Sequence, residues 1–446
     1  MNHPPPRQCY EDTLNIQILL PLPRTDAASM RRLCFSYPSA SIIIVALALV
    51  PSSLSSQRIP SFCLREASHQ GILRRRCTPV LRTRMRLSVT TPSMAAQPHS
   101  TTTRPAFPAA TALHRASGTI LLLATTEDKA SVNMLQALLA RGGWEETTPV
   151  DASSRVWHRP DGPQNVFMWQ ITQGFLRADW LDKAWLTAHP SQRIQEMIFL
   201  SRHAAASGRP SLTIHPIGNP GQPFAPQEGA RGAHGGIPGR CVPPSPRMAP
   251  LFRQLHRAVQ DAGLAGTFEV TLEATHHGPW HMHPTMFVEI GSKEEDWGRE
   301  DAAHVWADVL EKNLGLSATE ANGVRIPAVE ESKLVIVGAG GGHYTPKMND
   351  LLRHREDVLL GHILASYCFT GSEEDWKRGI DEAIEATRRA YSLPSENAEE
   401  EDGGKEETRV CVYIDKKAFK SAPRQALVQY LESRGIQCAF KENDLN

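Results

Sequence analysis

Four histidines, His276, His277, His281 and His283, fall within eight residues, with the carboxylates Glu273 and Glu289 on either side. Imidazole and carboxylate are donors suited to zinc, and a catalytic zinc needs three protein ligands and an open position. Carboxylates in such a setting can also act as general bases. Three more histidines, His203, His215 and His343, each lie just after or at the end of an apolar run. Spacing alone does not define a site. There is no H-E-x-x-H and no close ligand pair on one helix, so the fold must bring these groups together. The plain alternative is a turn whose histidines face water. The run Gly338, Gly340, Gly341, Gly342 offers a different chemistry. A G-x-G-x-x-G pattern would require glycine where His343 stands, which disfavours a dinucleotide site. Consecutive glycines instead allow close backbone approach and present N–H groups, as an oxyanion or terminal-nucleotide cradle does, or they simply make a tight turn.

The elements that must position these groups follow from periodicity. From Phe268 to Thr275 apolar and polar residues alternate strictly, which predicts a half-buried strand running into the histidines. Met286 to Ile290 predicts a second strand, and Ser292 with Glu295 a capping box opening a helix from Lys293 to about Leu314. Thr119 to Ala124, Glu196 to Leu200, Ser211 to His215, Lys333 to Val337 and Val410 to Ile414 read as further strands. Helical spacing follows at Ala130 to Leu139, Glu373 to Ala390 and Ala422 to Arg434, while Val358 to Phe369 is an apolar run containing His362. Strands alternating with helices predict an α/β fold, with a largely parallel or mixed sheet covered on both faces. Sites in such folds sit at strand ends, where His203, His215, His276, His277 and His343 are expected. Residues 219–250, rich in Gly and Pro, read as a surface insertion.

Composition divides the chain. Residues 1–117 carry 14 Arg, no Lys and only four acids among many Ser, Thr and Pro, the make-up of an organellar transit peptide. This segment is set outside the fold, leaving 118–446 as one elaborated domain. The expected destination is the chloroplast, with the mitochondrion as alternative, or the cytoplasm if translation starts at Met85 or Met94. The apolar run Ile42 to Val50 has nine residues, against roughly 20 for a bilayer span, so no membrane helix is expected. The whole chain balances 48 basic against 48 acidic residues, and removing the leader's 14 and 4 leaves 34 against 44, a net of −10. That excludes a generic nucleic-acid coat and confines any RNA contact to a local patch. Residues 395–407, with seven acids and one Lys, read as a solvated acidic loop. Cys241, Cys368, Cys411 and Cys438 are too widely spaced for a disulfide framework, and Cys368 and Cys411 read as packing residues.

Several segments, in order, resemble the archaeal and plant D-aminoacyl-tRNA deacylases: FLSRHAAASGRPSLTIHPIG (Phe199 to Gly218), TLEATHHGP (Thr271 to Pro279), PTMFVEIGS (Pro284 to Ser292) and GGGHYTPK (Gly340 to Lys347). The opening ATTEDKAS and the segment GHILASY extend the similarity over most of 118–446. The resemblance implies a fold similar to peptidyl-tRNA hydrolase and phosphorylase/hydrolase-like proteins. It implies zinc dependence and hydrolysis of the ester of D-aminoacyl-tRNA, including aldehyde-modified D-aminoacyl-tRNA. Matching positions are His203, His215, Glu273, His276, His277, Glu289 and His343. We expect zinc on His203, His215, His276 and His343, with Glu273 or Glu289 as base, His277 catalytic, and Gly341 and Gly342 at the oxyanion. Lys347, Arg353, Lys416 and Lys417 are the expected tRNA contacts. His281 and His283, outside the resemblance, are expected to be mere loop residues. Two rivals remain: another metal-dependent amidohydrolase or nucleoside-processing enzyme on the same fold, and a non-catalytic tRNA-binding protein.

Overall fold

The computed structural model describes residues 16–18, 33–35, 118–161, 165–224, 230–316, 334–391 and 409–445. The acidic loop 395–407 and most of the Arg-rich leader lie outside the described residues. The chain divides into residues 1–103 and 104–446. In the first unit, strands β1 (Ile16–Ile18) and β2 (Leu33–Phe35) pair antiparallel.

In the second unit the chain runs β3 (Thr119–Thr125), α1 (Lys129–Leu139), β4 (Glu145–Thr147), β5 (Arg155–Arg159), β6 (Asn165–Ile171), α2 (Leu181–Ala188), β7 (Ile194–Arg202) and β8 (Ser211–His215). It continues α3 (Met248–Asp261), β9 (Glu269–Leu272), β10 (Thr285–Gly291), α4 (Glu294–Trp297), α5 (Glu300–Leu314), β11 (Leu334–Ala339), α6 (Pro346–His354) and β12 (Val358–Leu364). The last elements are α7 (Glu373–Tyr391), β13 (Arg409–Ile414), α8 (Ser421–Ser433) and β14 (Gln437–Ala439). Among the described residues they make an eight-stranded mixed sheet, β4-β5-β6-β3-β7-β10-β8-β9, and a four-stranded parallel sheet, β12-β11-β13-β14.

Strand β3 shows why the central strands read as continuous apolar runs. All seven of its residues are buried, because it lies between β6 and β7 with a packed layer on each face. Ile120 and Leu122 pack with residues of α1, α3 and α5, while Leu121 and Leu123 pack with Trp169 and with Trp185 of α2. The fold is therefore α/β with helices on both faces. Helix α1 starts where expected because the Asp128 carboxylate accepts the Ser131 N–H at 3.0 Å and caps its first turn.

Four details depart from the sequence reading. The strand expected to reach Thr275 leaves its sheet after Leu272. Ala274 N–H then donates to the His343 carbonyl at 2.8 Å and Thr275 N–H to the Ile363 carbonyl at 2.7 Å, so the same extended backbone changes partner and ties the two sheets together. The helix cap moves by one residue: the Asp296 carboxylate, not Glu295, accepts the N–H groups of Ser292 and Lys293 at 2.9 and 3.0 Å, and the helix divides into α4 and α5 around Gly298. The stretch 219–250 is not all surface, since residues 241–250 are buried. Its end opens α3, whose apolar Met248, Leu251, Phe252, Leu255 and Val259 share one face and pack against both sheets. The run Val358 to Phe369 is a strand to Leu364 and a short 3₁₀ turn, Ser366–Phe369.

Candidate functional site

Each histidine expected at a strand end is there. His215 is the last residue of β8, His203 directly follows β7, and His276 and His277 follow the segment that leaves β9. Glu289 sits inside β10, beside Thr213 of β8. His343 comes from the loop after β11, brought in by the backbone pairing of Glu273 with Tyr344.

Three imidazoles form one group. The rings of His215 and His276 are 4.1 Å apart, those of His276 and His277 4.3 Å, and those of His215 and His277 4.9 Å. Their nearest ligand nitrogens all lie within 4.8 Å of one another. Each ring has its Nδ1 on a backbone carbonyl: His215 on Pro216 at 3.1 Å, His276 on Ala274 at 2.7 Å, and His277 on Gly278 at 2.5 Å. A carbonyl only accepts, so Nδ1 carries the proton and Nε2 is left with its lone pair, the arrangement that orients imidazole ligands. Among the described residues the buried Nε2 of His215 has no hydrogen-bond partner, the nearest Glu289 oxygen being 3.8 Å away, which fits a metal ligand. Burial, reinforced by the neighbouring imidazoles, lowers His276 far below the usual histidine range and His277 to about 4, favouring the neutral form that ligates. His215 is pulled the other way, because Glu289 outweighs its burial.

A second group surrounds Glu273. His203 Nδ1 lies 2.9 Å from one Glu273 oxygen and 3.5 Å from Glu289, while His343 Nε2 lies 2.8 Å from the other Glu273 oxygen. The Tyr344 hydroxyl sits 2.7 Å from His203 Nε2, a contact the sequence reading did not single out although Tyr344 adjoins His343. Burial alone would lower His203, but the two carboxylates outweigh it and raise it to about 11. Glu273 is held well below the carboxylate range and Glu289 at about 2; burial opposes both shifts, and the surrounding histidines overcome it. His203, Glu273 and His343 could also hold a metal. As placed, however, they already balance one another's charge.

The structure thus puts His277 with the imidazole trio rather than apart from it, and joins the two groups through Glu273 and His276: the His343 and His276 rings lie 4.6 Å apart, His276 Nε2 lies 3.7 Å from Glu273, and His215, Glu273 and Glu289 could also hold a metal. These groups border a cleft of about 1260 Å³ at the carboxyl ends of the parallel strands, whose lining includes Glu289, His203, His276, His277 and His343. The lining includes neither Gly341 nor Gly342. Gly341 has φ +85°, and its carbonyl accepts the N–H and hydroxyl of Ser366, both at 2.9 Å, so the glycines shape the turn that carries His343.

Other expected residues are placed differently. Lys347 donates to the carbonyls of Ile414 and Phe440 at 3.1 and 2.6 Å, securing the ends of the second sheet with two of its three ammonium protons. Arg353 pairs with Asp350 on α6. Lys416 and Lys417 are exposed in the turn after β13. His281 and His283 are not mere loop residues. His281 is fully buried and stacked on Phe199, and both face Asp182 of α2, His283 at 2.9 Å and His281 at 3.7 Å. Their period was legible as a histidine cluster, but its partner lies 100 residues upstream.

Convergent imidazoles and buried carboxylates in a cleft at the strand ends of an α/β fold make the layout of a hydrolase. Residues 190–439 match the family model described as D-aminoacyl-tRNA deacylase. The chain is 36% identical over 338 residues to a D-aminoacyl-tRNA deacylase of Arabidopsis thaliana, covering 73% of this chain and 98% of that protein. It is 31% identical over 269 residues to one of Aeropyrum pernix, covering 59% and 81%. The crystal structure of AF0625, a conserved protein of unknown function, shares the fold with a TM-score of 0.55 and 23% identity, covering 74% of this chain and 96% of that one. The chain belongs to the D-aminoacyl-tRNA deacylase family, whose members are hydrolases acting on an ester bond.

Proposed function

We propose that this protein hydrolyses the ester joining a D-amino acid to the 3′ end of tRNA, using zinc held by His215, His276 and His277. The observation that carries the metal reading is the trio of imidazoles whose ligand nitrogens lie within 4.8 Å of one another, each ring oriented by an Nδ1–carbonyl hydrogen bond. When bound there, zinc supplies a Lewis acid for ester chemistry. The protein's own groups do the rest. Glu289 lines the cleft whereas Glu273 does not, which supports Glu289 as the carboxylate that takes a proton from the attacking water. Thr213 donates to Glu289 at 3.1 Å, and His203, fixed by Tyr344 and Glu273, holds its other flank. The cleft walls set the direction of the side chain and so the chirality accepted. Aldehyde-modified D-aminoacyl-tRNA belongs to the same proposal, supported by the sequence resemblance, as do tRNA phosphate contacts from exposed Lys416 and Lys417.

The test is single-turnover deacylation of paired D- and L-tyrosyl-tRNA by the full chain, before and after chelation. We expect D to exceed L by at least 100-fold, activity to fall on chelation, and zinc to restore it. Equal rates on both enantiomers would sink the deacylase reading, and a chelator-resistant rate the metal reading. We also propose a chloroplast location, supported by the composition of 1–117; a fluorescent fusion of that segment that stays cytosolic would refute it.

A further inference from the structure

The cleft is larger than an aminoacyl ester requires. Pockets for whole drug-sized ligands run roughly 300–1,000 Å³, and this one reaches about 1260 Å³. Besides the reacting groups its lining includes two large hydrophobic side chains that remain exposed, Tyr367 at 49% and Leu176 at 38%. Both sit on short 3₁₀ turns at strand ends, Tyr367 in Ser366–Phe369 after β12 and Leu176 in Phe175–Arg177 after β6. An aromatic ring half open to a cleft is a stacking surface, and among the described residues no aromatic ring stacks on Tyr367.

The Tyr367 turn is rigidly related to the reacting groups. Ser366, its neighbour, grips the Gly341 carbonyl through both N–H and hydroxyl, and Gly341 lies two residues before His343. Beneath the turn Cys368 is buried, packed so closely that a Cβ on Gly221 would come within 3.0 Å of its Cα. The turn that carries the ring is therefore tied to the loop that carries His343.

We propose that Tyr367 stacks on the nucleobase of the 3′-terminal nucleotide, with Leu176 as the apolar wall of the same subsite. This rests on the deacylase reading, in which the ester at the histidines is bonded to that nucleotide's ribose, so the base must lie within one sugar's length of the reacting carbonyl. Stacking on an aromatic face is how proteins hold unpaired terminal bases. It also explains how one enzyme can act on tRNAs that differ in amino acid but share their 3′ end.

The experiment compares the full chain with Tyr367→Ala and Tyr367→Trp, using D-tyrosyl-tRNA as substrate and adenosine 5′-monophosphate as a separate binding probe. Tyr367→Ala is expected to raise KM about 10- to 100-fold with kcat little altered, and to weaken adenosine monophosphate binding by a similar factor; Tyr367→Trp is expected to keep both near wild type. Unaltered KM and nucleotide binding in Tyr367→Ala would overturn the proposal, as would a fall in kcat alone, which would mark a structural role for the turn. Should the wild-type chain fail to deacylate D-tyrosyl-tRNA, the functional reading falls, while nucleotide binding and its loss in Tyr367→Ala still decide the subsite.

Discussion

Glu289 stands between the two histidine groups, 3.5 Å from His203 and 3.8 Å from His215, with Thr213 donating to it. Because these neighbours keep it ionised, its role can be separated from metal binding by an isosteric change. Glu289→Gln keeps the shape but cannot accept a proton, so the rate should fall roughly 10²- to 10⁴-fold while metal content stays near wild type. Elemental analysis and single-turnover rates on the same preparation check this; loss of metal with the rate would make Glu289 a ligand. Lys347 shows the opposite lesson at this scale. Its position in GGGHYTPK invites a phosphate contact, yet both of its observed hydrogen bonds run to strand-end carbonyls.

The loop 276–284 owes its shape to α2 and the turn before it. Asp179 accepts the Trp280 N–H at 2.8 Å, Trp180 N–H donates to the Trp280 carbonyl at 2.9 Å, and Asp182 accepts the Met282 N–H at 2.8 Å and faces both His281 and His283. His276 and His277 sit at the near end of this clamped loop, so the clamp should position them. Burial would raise the Asp182 carboxyl, but His281, His283 and the Met282 N–H outweigh it and hold it well below the ordinary 3.8. A folded pKa below the unfolded one means that the stabilisation is fully present above about pH 4 and is lost as pH falls from there. Asp182→Asn should therefore cost about 2–3 kcal/mol near neutrality and flatten the acid limb of the stability curve, measured by urea unfolding between pH 3 and 7. His281→Ala should likewise destabilise, by about 2 kcal/mol or more from the cavity it leaves, while retaining bound metal; full loss of metal in His281→Ala would place that ring among the ligands.

At the scale of the molecule, residues 104–446 form a unit that contains both sheets, the cleft and every residue of the site. Among the described residues no helix is long and apolar enough to cross a membrane. A chain beginning near Ala112 should fold cooperatively and keep its deacylase activity, because the elements that bury the core begin at β3. Loss of a cooperative melting transition on that truncation would show that the leader contributes to the fold.

Much of this was written in the sequence. Thr119 to Thr125 is a strand because its apolar run leaves no polar face, Ser211 to His215 because Leu212 and Ile214 alternate with Ser211, Thr213 and His215, and Thr285 to Gly291 because Met286 to Ile290 is apolar but for Glu289; the sequence determined all three locally. Histidines at strand ends likewise marked where chemistry would gather. What sequence could not decide was grouping: His215 meets His276 and His277 through the pairing of β8 with β9 and the bridge of Ile217 with His276, while His343 from the β11 loop reaches His276 only once both sheets are packed. The three Nδ1 hydrogen bonds are made by local backbone carbonyls, but only the tertiary fold brings the His215 ring against those of His276 and His277. Helix α3 was hidden by the Gly- and Pro-rich stretch before it, although its Met248, Leu251, Phe252, Leu255 and Val259 carry a helical period. Asp182 gave no signal at all, because a lone acid acquires meaning only when folding buries it beneath histidines 100 residues away and removes the water that would otherwise solvate it.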